Sequence, residues 1–251
     1  MQSSNPAFTN NPAFNGDLLS HFDQTGTRST TMTVQGTALK SFVLLAILMV
    51  GAAWSWKTAE AGELGQGMLL GAGIGGFVLA LITIFKPTLA PWTSPVYAAL
   101  EGIFLGALSQ QVDLRFPGIA MQAVAVTGGV TFTMLVVYAT GLIKVTGQLR
   151  GAIVAATGAI ALVYLVSMVI NLFGGHFPYI HDAGPIGIGF SLFVVGLAAF
   201  NLLLDFDFID RGAQSGLSKS MEWYGAFGLM VTLVWLYLEV LRLLQKLQSR
   251  R

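Results

Sequence analysis

The 251-residue chain is 54% hydrophobic and only 10% charged, with a mean hydropathy of +0.70, a balance that no soluble domain of this size needs to fill one core. Thirteen basic and twelve acidic residues leave a net charge of +1, so the chain lacks the field of one sign that a nucleic-acid partner would require. There is no cysteine, which excludes disulfides, thiolate catalysis and Cys-ligated metals.

Residues 1–36 are rich in Ser, Thr, Asn and Gly and contain a near-duplicate, Asn5-Pro6-Ala7-Phe8 and Asn11-Pro12-Ala13-Phe14. This composition predicts a polar, disordered tail. No basic start followed by a short apolar core and small-residue cleavage site precedes the first span, so a cleaved signal peptide is not expected. The first hydrophobic helix would act as the insertion signal.

Beyond the tail, residues 37–245 read as a transmembrane domain, because apolar stretches of about 20 residues, the length that crosses the hydrocarbon layer, recur between polar breaks. Seven are expected: Thr37 to Trp56, Gly65 to Phe85, Ser94 to Gln110, Ile119 to Ile143, Ala152 to Phe173, Ile186 to Ile209 and Trp223 to Leu244. Charges or helix breakers fill each gap, and Trp54, Trp56, Trp92, Trp223 and Tyr224 lie near span ends, where an aromatic belt would place them. Residues 246–251 form a short basic C-terminal tail. The fold class expected is all-α, a polytopic membrane bundle.

Glycines at helical spacing, Gly71, Gly75 and Gly76 in the second span, Gly102 and Gly106 in the third, and Gly187 and Gly189 in the sixth, predict close helix approach. The run Gly71 to Gly76 superficially resembles a phosphate-binding loop, but it lies inside an apolar span and no Lys-Ser/Thr follows it. With the N-terminus inside, most basic residues of the tail and loops fall on the cytoplasmic side, as the positive-inside rule favours. Seven crossings then place Arg242, Lys246, Arg250 and Arg251 outside. That conflict points to a last helix that is re-entrant or buried centrally in the bundle.

A carboxylate near the centre of a span costs on the order of 2.5 to 3.5 kcal/mol to insert, so each one that persists is a candidate site. Three qualify: Glu101, Asp205 and Glu239. On the sixth span Asn201 lies about 40° from Asp205, whereas Asp207, Asp210 and Arg211 lie opposite. There Asp207 and Arg211 can pair at i and i+4. Asp207 and Asp210 read as acids of a solvated helix end. Arg242, three residues after Glu239, offers it a structural ion pair, unless its long side chain reaches the headgroups and leaves Glu239 deeper. Glu101 and Asn201 are secondary polar candidates.

No zinc-ligand pattern or intramembrane protease signature is present, and an enzyme is not expected. The histidines are His21, His176 and His181. His176 and His181 cluster with Asp182 in a loop that reads as solvated.

The last two spans carry a resemblance. Leu-Leu-Asp205-Phe-Asp207-Phe-Ile209, Leu-Tyr-Leu-Glu239-Val-Leu-Arg-Leu-Leu244 and Met221-Glu222-Trp223-Tyr224-Gly225-Ala226-Phe227-Gly228-Leu229 resemble the Bax inhibitor-1-like, or transmembrane Bax inhibitor motif, family, in its bacterial branch. The resemblance implies six helices around a central seventh, a bacterial cytoplasmic membrane and a pH-sensitive calcium leak. It also implies a gate of two carboxylates, one on each of the last two helices, that share a proton. Asp205 matches the first, and Glu239, one methylene longer, stands for the second.

The chemistry of such a pair is self-consistent. Two carboxylates facing each other away from water do not both ionise cheaply and titrate as a unit. The bare pair would recruit a hard cation such as calcium, which prefers oxygen ligands. Calcium is thus the expected transported or weakly bound ion, and no other cofactor is expected. Family members are linked as well to stress protection and to modulation of membrane proteases. That leaves as alternatives a regulator that binds other membrane proteins without conducting, and a proton-coupled small-solute transporter.

Overall fold

The computed structural model describes residues 30–173 and 184–250. Among them the fold is all-α, with seven long helices and a single isolated β-bridge. The helices are α1 Val34–Glu60, α2 Gln66–Phe85, α3 Ala90–Asp113, α4 Ile119–Ala139, α5 Gly147–Leu172, α6 Pro185–Gln214 and α7 Met221–Gln248, with a 3-10 turn at Pro87–Leu89 before α3.

Local signals set where they start. The Thr33 hydroxyl accepts from the Gly36 N–H at 3.0 Å and caps α1, and Thr146 caps α5 through the Leu149 N–H. Pro185 opens α6 at a position where its missing N–H costs nothing. Gly118, at φ 82°, turns the chain between α3 and α4.

Six of the helices, all but α3, are long and apolar enough to cross a membrane. The chain is an integral, multi-pass membrane protein. At 24 residues α3 is also long enough, but Ser94, Glu101, Ser109, Gln110, Gln111 and Asp113 lower its hydropathy. It tolerates them because much of it is buried against protein instead of lipid.

Successive helices run in alternate directions, so that α1 and α7 begin at the same end of the bundle, hereafter the near end. Glu222, in the first turn of α7, meets Thr33 there, and the ends of α4 and α6 meet through Tyr138 and Asp210. At the far end Lys246, late in α7, reaches Gly187 and Ser191 at the start of α6.

The packing is organised around α3 and α7. Helix α1 lies along α3 at backbone contact: a Cβ on Gly102 would stand 2.3 Å from the Leu48 carbonyl oxygen, and one on Gly106 would stand 2.2 Å from that of Ala52. Helix α7 packs against α1, α3, α4 and α6. Its Trp235 joins the cluster that Ile153, Ile160, Val194 and Leu197 form between α5 and α6, so the last helix is the central one. Helix α2 packs on α3 at the outside. Phe42, Phe77, Phe85 and Phe132 are among the large apolar side chains turned outward, the face that lipid covers.

Most helices run past the expected span limits, whereas α4 stops at Ala139, four residues short of Ile143, where Gly141 at φ 67° turns the chain. Helix α1 starts at Val34, inside the stretch assigned to the tail, and α6 continues five residues beyond Ile209, carrying Asp210 and Arg211 within the helix. Lys246 is not part of a C-terminal tail: α7 extends to Gln248, and Lys246 is buried. Residues 1–29, the loop with His176, His181 and Asp182, and Arg251 lie outside the described residues.

Candidate functional site

Two acidic layers cross the bundle along α7. In the first, Asp205 of α6 faces the turn of α7 that holds Gly228 and Thr232. A Cβ on Gly228 would lie 3.7 Å from Asp205 Oδ1, and the Thr232 hydroxyl lies near this carboxylate. Asp205 keeps some exposure as a residue, yet its Oδ2 is fully enclosed and has no hydrogen-bond partner among the described residues. One turn earlier, Asn201 turns to α5, donating to Thr157 Oγ1 and to the Leu197 carbonyl, both at 2.9 Å. Asn201 and Asp205 therefore share a broad face of α6 but serve different neighbours.

The second layer centres on Glu239, which is 1% exposed. Its Oε1 accepts from the Tyr164 hydroxyl at 2.9 Å and from Arg242 Nη1 at 2.8 Å, and Arg242 also donates to the Tyr164 oxygen at 2.7 Å. The guanidinium lies 5.0 Å from the Tyr164 ring centroid, a cation–π contact. Glu239 Oε2 is enclosed without a partner among the described residues, as Asp205 Oδ2 is.

The two acids expected to share a proton are not partners in this structure. Asp205 lies against the Gly228–Thr232 turn of α7, and Glu239 is hydrogen-bonded to Tyr164 and Arg242. Thr232 and Glu239 are seven residues apart on one helix, about 10 Å along its axis. The ion pair of Glu239 with Arg242 is formed, at 2.8 Å. Among the described residues no cluster of three or more metal-ligating side chains occurs.

Glu101 lies against α2. A Cβ on Gly76 would stand 3.0 Å from Glu101 Oε1, so that glycine makes room for the acid. Asp207 corrects the expectation of a solvated helix end. It is 6% exposed, accepts from Arg211 Nε at 2.9 Å and is ion-paired with Arg150 from α5. The i, i+4 spacing foretold the first partner, but the second comes from another helix and shields the acid. Asp210 is half-buried, with Gln214 Nε2 at 3.0 Å and the Tyr138 hydroxyl at 3.3 Å.

Four residues carry interactions that sequence reasoning missed. Glu222, 0% exposed, binds the Thr33 N–H and hydroxyl at 2.9 and 2.8 Å, Lys219 at 2.8 Å, and Lys40. An acid in the first turn of a helix is a usual partner of the helix dipole, so its position gave no sign of this cluster. Lys246 donates to Gly187 O and Ser191 Oγ at 3.0 and 2.9 Å. Tyr164 and Arg150 complete the set, and no spacing within the chain links either to its acid.

A central last helix thus meets acids at two depths, each carried by a motif of the last two spans. A profile of one family, described as Bax inhibitor 1 like, matches residues 5–249, nearly the whole chain. The chain belongs to the Bax inhibitor 1 like family. No curated protein matches it. In this member of the Bax inhibitor 1 like family, the Leu-Leu-Asp205-Phe-Asp207 segment supplies both the first acidic layer and the arginine-anchored near end. The Leu-Tyr-Leu-Glu239-Val-Leu-Arg242 segment supplies the second layer.

Proposed function

We propose that this protein is a pH-sensitive calcium leak pathway in which Asp205 and Glu239 act as two successive acidic layers, with the proton on Asp205 setting the rate. One observation carries the reading: on each of these acids, in the membrane bundle, one carboxyl oxygen is enclosed and has no hydrogen-bond partner among the described residues. Buried polar atoms are nearly always satisfied, so each of these oxygens is a place where a proton, a water or a cation would be held. With its proton, the Asp205 carboxyl is neutral and the helices stay packed. Without it, the charge favours an arrangement in which water or a hard cation reaches the oxygen. Family membership supports the calcium assignment, which the chemistry of oxygen ligands suits.

Proteoliposomes containing a calcium-sensitive dye test this. Asp205→Asn is expected to leave a flux that no longer responds to pH, and Glu239→Gln to change the flux itself. If both variants match the unaltered protein in flux and pH response, the assignment is wrong.

A second reading, a regulator that binds other membrane proteins, is favoured by the way the end of the N-terminal segment is stitched to the α6–α7 turn. Met32 N–H donates to Leu217 O at 2.6 Å, and Lys219 N–H donates to Thr30 O at 3.0 Å. It predicts that removing residues 1–29 abolishes regulation of the partner while ion flux is intact.

A further inference from the structure

The near end of the bundle holds an assembly that a leak does not use. Asp207 is buried, yet two guanidinium groups converge on its two oxygens: Arg211 of the same helix on Oδ1, and Arg150 of the first turn of α5 on Oδ2. The arginine side chains stay about half exposed, at 58% and 47%. The carboxylate therefore forms the floor and the two guanidinium groups face outward.

One buried carboxylate neutralises one of these cations and holds the other beside it, a repulsive placement that an unpaired arginine would leave. Lys144, exposed in the loop before α5, adds a third cation. The remaining acid nearby, Asp210, is engaged by Gln214 and Tyr138. Each guanidinium has five N–H donors in a fixed fork. Arg150 spends one on Asp207, and Arg211 spends two, on Asp207 and on the Val145 carbonyl. Donors are left over on both, aligned by the buried carboxylate between them.

We propose that Arg150 and Arg211 bind the phosphate of an anionic phospholipid headgroup. Paired arginine forks suit a phosphate, which accepts bidentate hydrogen bonds from each. The first turn of α5, beginning at Gly147, directs the positive end of its dipole to the same place. The location selects a lipid as the source of the phosphate. The arginines sit at the end of membrane-spanning helices, and exposed apolar side chains continue from them, Leu142 at 77% and Val154 and Phe208 beside α5 and α6, on the face that acyl chains would cover. Basic pockets between helices at this depth recognise headgroups by the same chemistry.

The test is retention of phosphatidylglycerol against phosphatidylcholine by the full chain in detergent, read by native mass spectrometry, with inorganic phosphate as a third arm. Phosphatidylglycerol is expected to be retained selectively. Arg150→Gln and Arg211→Gln should each weaken retention by about fivefold, whereas Lys57→Gln, at the far end, should not. Arg150→Lys and Arg211→Lys keep the charge on Asp207 and guard against misfolding; they should fall between, because a point charge replaces the fork. Equal retention of the two lipids, or no loss in the glutamine variants, overturns the site. Displacement of the lipid by inorganic phosphate at millimolar concentration overturns the lipid as its occupant.

Discussion

Glu222 is buried where a side chain on Gly36 would otherwise lie: a Cβ there would be 2.2 Å from Glu222 Oε1. The acid has no room to retreat, because Thr33, Lys40 and Lys219 fix it from three directions. Gly36→Ala is therefore expected to destabilise the protein as much as Glu222→Gln does. The latter removes the charge that two lysines share, but both lysines keep access to water, so the loss is that of a charged hydrogen bond, about 2 kcal/mol. Thermal unfolding in detergent measures both, and an unchanged midpoint for Gly36→Ala would mean that the carboxylate moves freely. At this scale the sequence was informative where partners lie within one helix, as for Asp207 with Arg211 and Glu239 with Arg242. It was silent where the partner comes from elsewhere, as for Arg150, Tyr164 and Thr33, because helical spacing says which residues share a face and not which face meets it.

Among the elements, the lengths and number of spans were legible because membrane thickness dictates them. The ends were less so. Polar residues of α6 after Ile209 looked like a loop, yet they continue the helix because Arg150, Tyr138 and Gln214 satisfy Asp207 and Asp210 there. The glycines separate by use. Gly102 and Gly106 are pressed on the α1 backbone, while Gly71 and Gly189, read from sequence as equivalent, have nothing near a would-be Cβ. Gly106→Ala is accordingly expected to cost roughly 3 kcal/mol or to prevent assembly, since the obstacle is backbone and α1 must shift as a whole. Gly71→Ala should be neutral. Size-exclusion profiles and unfolding midpoints of the two variants make the comparison, and a well-folded Gly106→Ala would show that α1 and α3 slide apart cheaply.

For the molecule as a whole, a central α7 means that any opening between the two acidic layers moves that helix against its neighbours, and the stitch between the N-terminal segment and the α6–α7 turn is where such motion can be stopped. Thr31 and Ser218 form an antiparallel bridge flanked by the Met32–Leu217 and Thr30–Lys219 hydrogen bonds. Facing residues of this kind have Cα atoms about 4.5 to 5.5 Å apart, within the reach of a disulfide. The chain has no cysteine of its own, so Thr31→Cys with Ser218→Cys introduces one defined cross-link. Oxidation ties the start of α1 to the turn that leads into α7, while leaving Asp205 and Glu239 untouched. If the proposed leak opens by parting these helices, calcium flux into liposomes should fall on oxidation and return on reduction, and the single variants should respond to neither. Equal flux in both redox states would place the moving part elsewhere, because a path that conducts with this end pinned does not need α7 to leave α1.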